Sequence, residues 1–200
     1  SFRKIWTEVR FVDEKTLHGM WNYFLMLEND LDNTSRYIEP QGQENVYSFE
    51  FAKLLVLACT EIESVLKVMC KEIAPHIKAE KMSDYQPIIT QRFPKITEAY
   101  VKISRLGRDL QPFSNWNNEP LSWWRAYNGV KHNRGSNFGD ATYMNAVMAL
   151  SGLYILIFYL AALTGLKFKD TASKYISSDY EHVSLFWAVT SKLPDFVETK

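Results

Sequence analysis

The sequence predicts an all-α fold, an antiparallel helical bundle with a short β-hairpin near residues 99–113. Three features predict it. Leu17, Met20, Trp21, Phe24, Leu27 and Leu31 recur at the spacing of one helix face. Phe51, Leu54, Leu55, Ala58, Cys59, Ile62, Val65, Leu66, Met69 and Ile73 form a second, wider stripe. Ala141 to Leu166 holds no charged residue, the character a helix needs at the centre of a bundle.

In chain order, Ile5, Val9, Phe11 and Val12 alternate loosely, a pattern open to a short strand or a helical lead-in. Asp13 reads as the N-cap of the first helix, which runs to about Tyr37, before Pro40-Gln41-Gly42. The second helix starts near Ser48 and is stopped by Pro75. Residues 76–83 are charged and loop-like, with Ser83 placed to cap a short helix from Asp84 to about Phe93, ended by Pro94. Tyr100 to Ser104 reads as a strand, Leu106 to Asp109 as a turn and Leu110 to Phe113 as the return strand. Asn115-Trp116-Asn117-Asn118 is a polar loop. Glu119-Pro120 opens the next helix, with proline in a first turn that needs no N–H from it. That helix carries Trp123 to about His132 and is broken by Gly135-Ser136-Asn137. The last long helix spans about Asp140 to Leu163 and ends at Gly165. In the tail, 167–200, the pattern from His182 to Val189 does not separate helix from strand. No repeat or linker divides the chain, so 1–200 reads as one domain with its bundle core at about 13–165.

The uncharged helix also has the length of a membrane span. Asn145 and Ser151 interrupt its first half, however, and no basic cluster marks a cytoplasmic side. The amphipathic helices need something to cover their stripes, so the expectation is a core helix and no membrane partner.

Lys+Arg and Asp+Glu both total 23, so the formal net charge is zero. A general polyanion binder is usually strongly basic, and any nucleic-acid role here must come from a local site. Cys59 and Cys70 sit about three turns apart in one predicted helix and cannot pair there. They read as buried free thiols of a reducing compartment. Ser1 to Trp6 has no apolar leader core, so a cytoplasmic location is expected. His18, His76 and His182 are scattered and no HExxH or CxxC occurs, so neither a metal site nor a cofactor is expected. Glu61 and Glu63 point about 200° apart on their helix and read as a solvated acidic face, although one of them is placed to reach a neighbouring helix. No Gly-rich phosphate loop or GxSxG elbow is present.

The chemistry concentrates between Leu121 and Arg134. At about 100° per residue, Trp123, Ala126, Tyr127 and Val130 fall on one side of the helix, toward a core. Arg125, Asn128 and His132 fall on the other, within an arc of about 60°. Lys131 and Arg134 add charge nearby, and Gly129 leaves the backbone open to close approach. Arginine grips a phosphate through a bidentate fork. Imidazole gives and takes protons near neutral pH, and asparagine holds a tautomer or a phosphate oxygen. Together these suffice for RNA cleavage by internal transesterification without a metal, with the arginine stabilising the phosphorane-like transition state. A row of this kind is also common as a solvated structural patch.

The segment Trp123-Trp124-Arg125-Ala126-Tyr127-Asn128-Gly129-Val130-Lys131-His132-Asn133-Arg134 resembles the motif helix of the HEPN superfamily, in which an arginine precedes a histidine by four to six residues on a late helix of an all-α bundle. Here six residues separate Arg125 from His132. The helix carrying Glu61-Ile62-Glu63-Ser64-Val65-Leu66-Lys67 is similar to the early acidic helix of such bundles. The commoner pattern has a polar residue directly after the arginine; Ala126 stands there, with Asn128 two further on. The resemblance implies a metal-independent endoribonuclease of bacterial defence or stress response, of the toxin–antitoxin or abortive-infection kind. It would be a homodimer whose motif helices face each other, with RNA as substrate and an antitoxin protein as a further partner. Arg125 and His132 would be the catalytic pair, supported by Asn128, with Lys131, Arg134, Tyr127 and Trp124 binding substrate. The alternative is a non-catalytic HEPN-like module that binds RNA, a nucleotide or a partner protein.

Overall fold

Five helices and two small antiparallel hairpins make up the described residues of the computed structural model, which are 11–166, 181–183 and 188–190. The sequence pattern at residues 1–10 and the rest of the tail lie outside these.

Helix α1 (Glu14–Thr34) begins where Asp13 caps it, the carboxylate accepting the Thr16 N–H at 2.8 Å. It ends three residues before the expected Tyr37, in the run Asp32-Asn33-Thr34-Ser35. Short polar side chains compete there for backbone groups, and the Thr34 hydroxyl donates back to the Leu31 carbonyl at 2.7 Å. Helix α2 (Phe49–Ile73) is capped by Ser48, whose hydroxyl accepts from Phe51 N–H. Glu72 near its end accepts the backbone N–H of Phe11 and Val12, tying the start of the described chain to α2.

Helix α3 (Met82–Arg92) starts two residues earlier than a Ser83 cap would have it. The cap is supplied by Asp84, whose carboxylate accepts the N–H groups of Glu80 and Lys81 at 3.0 and 3.3 Å. These bonds hold the Asp84 carboxyl below its ordinary pKa. Strands β1 (Val101–Ile103) and β2 (Arg108–Leu110) pair antiparallel, Val101 opposite Leu110. The return strand begins at Arg108, ahead of the expected Leu110, because a 3-10 turn at Ser104–Leu106 and Gly107 at φ 63° complete the reversal early. The hairpin is fixed to α1 by Arg105 on Asp32 at 2.8 Å.

Helix α4 (Ser122–Asn137) does not open at Pro120. Leu121 is still extended, with ψ 129°, so the proline lies ahead of the helix. Helix α5 (Tyr143–Thr164) is capped by Thr142 and closed by Gly165 in the left-handed region at φ 65°. Its start is bridged to the start of α2: Tyr143 N–H donates to Val46 C=O at 2.8 Å, and Ser48 N–H to Ala141 C=O. Beyond residue 166, β3 (Glu181–Val183) and β4 (Ala188–Thr190) form a second hairpin, so the ends of the ambiguous His182 to Val189 stretch are strand.

Helix α2 packs against all four other helices, and α5 against α1, α2 and α4. Among the described residues α5 is the one helix apolar and long enough to cross a membrane, and 83% of its apolar window is buried. It sits as a core helix sits, with Ser151 satisfied by Val147 C=O at 2.7 Å. Gly152 faces α4: a Cβ there would touch Phe113 and Trp123 at 3.4 Å. The missing side chain is the space those rings occupy. Cys59 and Cys70 are free and buried. Burial pushes the Cys59 thiol far up, and that of Cys70 to about 12.

Glu61 on α2 is half-buried, and burial raises its carboxyl pKa. Between the ordinary and the raised value the folded state holds a proton that the unfolded chain has lost, so stability falls as pH rises through that window. Glu61→Gln is therefore expected to be more stable than the parent at neutral pH, with the difference vanishing in acid below the ordinary carboxylate range. Urea melts at both pH values check this; an equal gain at both would remove burial as the cause.

Candidate functional site

The aromatic face of α4 fixes where its polar face points. Trp123, Ala126, Tyr127 and Val130 are buried, as the helical spacing requires. Trp123 donates its indole N–H to the Pro112 carbonyl at 2.8 Å and meets Phe113 edge-on at 6.1 Å. With this side anchored, Arg125 is exposed and Asn128 half-buried on the opposite face.

Arg125 and Asn128 line one cavity of about 530 Å³. Trp124, largely buried, contributes an edge to it, and Glu63 reaches it from α2. The acidic helix therefore does meet the motif row through Glu63, while Glu61 faces Tyr23 of α1, whose hydroxyl pKa is raised by burial first and by the Glu61 charge second. The rest of the wall was not read as functional in the sequence. The start of α3 brings Lys81 and Gln86, and the loop before α4 brings Asn117 and Asn118. That loop owes its shape to Asn115 at φ 60°, whose carbonyl accepts from Asn118 and Glu119 N–H. The polar run 115–118 was the visible signal, but its distance from Gln86 in sequence hid the pairing. The cavity thus carries two cations, three carboxylates (Glu63, Glu80 and Glu119) and four amides. An arginine fork over amide groups can hold a phosphate beside a base edge or another planar amide.

His132 is exposed and lines no described cavity. It stands about 10 Å along the helix axis from Arg125. Helical geometry breaks immediately after it, at Asn133 (φ −148°, ψ 69°), earlier than the expected break at Gly135. Asn137 spans the break, its amide donating to Gly129 C=O at 3.3 Å and Asn133 C=O at 2.9 Å. Gly129 permits this approach: a Cβ there would lie 3.2 Å from Asn137 Cγ. Gly129→Ala is expected to destabilise the protein, because the clash offsets the roughly 1 kcal/mol that alanine gains over glycine in a helix. In an Asn137→Ala background the same change is expected to stabilise. Urea melts of the four proteins test it, and the same sign in both backgrounds would remove Asn137 as the cause.

Lys131 and Arg134 turn away from the cavity, into a separate groove against α2. Lys131 Nζ donates to the Tyr127 hydroxyl at 2.8 Å and lies 5.0 Å from the Tyr127 ring centre. That hydrogen bond, more than the opposing desolvation, raises the ammonium pKa, aided by the charge of Glu63. Tyr127 itself is fully buried, so its hydroxyl acts through Lys131. Arg134 lies over the Phe49 ring at 5.7 Å. Of the residues the sequence grouped, the structure gathers Arg125, Asn128 and Trp124, sets Lys131 and Arg134 aside as a second pair, and leaves His132 outside both cavities. Among the described residues no three His, Cys, Asp or Glu side chains gather to hold a metal. Comparison with protein-family models, curated proteins and solved structures finds no match to the chain.

Proposed function

We propose that this chain is a HEPN-like bundle acting as a homodimeric, metal-independent endoribonuclease in bacterial defence or stress response. The observation that carries the reading is the pairing of Arg125 and Asn128 on one cavity wall, with His132 exposed two turns further along the same helix face. Arg125 grips the scissile phosphate, Asn128 and the cavity amides orient the nucleotide, and His132 moves the proton of the 2′-hydroxyl or the leaving 5′-oxygen. A second copy of α4 completes the site, since one copy does not bring His132 to the cavity. The protein works in the cytoplasm, where two buried thiols stay reduced, and an antitoxin protein restrains it.

The test is RNA cleavage by the purified chain in EDTA, with product ends resolved. Fragments ending in 2′,3′-cyclic phosphate are expected; intact RNA, or cleavage that needs a divalent ion, removes the reading. The position of His132 favours a second reading: a non-catalytic module of the same fold that takes a nucleotide or RNA end into the Arg125/Asn128 cavity. Binding without cleavage, lost in Arg125→Ala and kept in His132→Ala, would establish it instead.

A further inference from the structure

We propose that the groove between α2 and α4 docks an acidic amphipathic helix of a partner protein. The groove encloses about 630 Å³ and lies apart from the Arg125 cavity. Its floor is aliphatic, with Val56 and Leu57 of α2 partly exposed above the buried Ala52 and Val130, and Phe49 closes one end. Its rim holds Lys53, Lys131 and Arg134, and no carboxylate lines it. Lys53 is already paired with Asp30 and Glu50. Lys131 and Arg134 show no ion pair among the described residues, so their charge is available across the groove.

An aliphatic floor between cationic edges matches one kind of ligand surface. Apolar side chains at i, i+3, i+4 and i+7 fill the floor, and flanking Asp or Glu meet Lys131 and Arg134. The rings nearby argue against a nucleic-acid strand. Phe49 is 69% exposed, yet Arg134 lies over it and Phe138 packs against it at 4.6 Å. Tyr47 meets Phe138 edge-on at 5.3 Å, so this cluster is already occupied with itself. Base stacking needs a free ring face, whereas the partly exposed surface here is the aliphatic pair Val56 and Leu57. The inference does not rest on the ribonuclease reading.

The experiment uses the full chain, isotopically labelled, and three probes. One is a synthetic helical peptide with Leu at i, i+3, i+4 and i+7 and Glu on its other faces. The second is its scrambled sequence, and the third a single-stranded oligoribonucleotide. Saturable binding of the first is expected to shift the amide signals of Ala52, Val56, Leu57 and Val130. Arg134→Glu and Leu57→Lys are each expected to weaken it at least roughly tenfold, with Arg134→Lys close to the parent. Should Leu57→Lys fail to fold, the exposed Arg134 pair decides alone. Absence of saturable binding up to about 1 mM, equal binding of the scrambled peptide, or shifts elsewhere would overturn the proposal. So would the oligoribonucleotide producing these shifts and losing them in Arg134→Glu, which would make the groove a nucleic-acid surface.

Discussion

His132→Ala is expected to slow RNA cleavage by about 10²- to 10⁴-fold, the range that one positioned acid–base group supplies. The side chain is exposed, and the turn that carries it is anchored by Tyr127 and Val130 on the buried side, so its loss leaves the fold intact. Arg125→Ala is expected to cost about 10²- to 10³-fold through lost stabilisation of phosphorane charge. Arg125→Lys keeps the charge but not the fork, and should fall between the two. Cleavage rates in EDTA, with thermal melts as the folding control, measure all three. If His132→Ala cleaves as fast as the parent, the histidine has no part in the chemistry, whatever Arg125 does. Mixing the His132→Ala and Arg125→Ala chains adds a test of the dimer. Recovered activity in the mixture is expected if each site draws on both copies, and its absence would place the row within one chain.

Trp123→Ala is expected to destabilise the protein by about 3–5 kcal/mol from ring burial and cavity formation alone. The ring is 1% exposed, fills the gap left by Gly152 on α5 and packs edge-on against Phe113 and Trp124. Its loss also orphans the buried Pro112 carbonyl, worth about 1–3 kcal/mol more. Set against a typical stability of about 5–15 kcal/mol, this leaves a protein near its unfolding threshold. Trp123→Phe keeps an aromatic ring and removes the N–H, so it should lose a smaller amount, dominated by the Pro112 carbonyl. Urea melts decide: a loss under about 1 kcal/mol for the alanine variant would mean that Trp123 is not the α4–α5 contact described.

The helices were legible in the sequence because their signals are local. Apolar periodicity marked the buried faces of α1, α2 and α4, Asp13 and Gly165 bound α1 and α5 where the residue types placed them, and α2 starts beside the expected Ser48. Errors clustered where a short element is settled by distant bonds. The cap of α3 comes from Asp84 and not Ser83, and the start of α4 depends on an extended Leu121. The burial of α5 was expected, although length alone left it open. An uncharged run of that length fits a bilayer or a protein core, and the α2 and α4 surfaces around it supplied the core.

For the motif helix, the sequence determined which side chains face inward and which face out, because 100° per residue is a property of one helix alone. It therefore placed Trp123 and Tyr127 in the core and Arg125 with Asn128 on the opposite side. Only the tertiary structure decided what each exposed residue meets. Gln86, Asn117 and Glu63 come from three other segments to share a cavity with Arg125. Of the neighbours of His132 in sequence, Lys131 is held by the Tyr127 hydroxyl one turn back on α4, and Arg134 lies over the Phe49 ring of α2. The break at Asn133, held by Asn137, ends the regular face directly after His132. A cavity is a relation between elements, and a single helix, however regular, encodes only its own side of it.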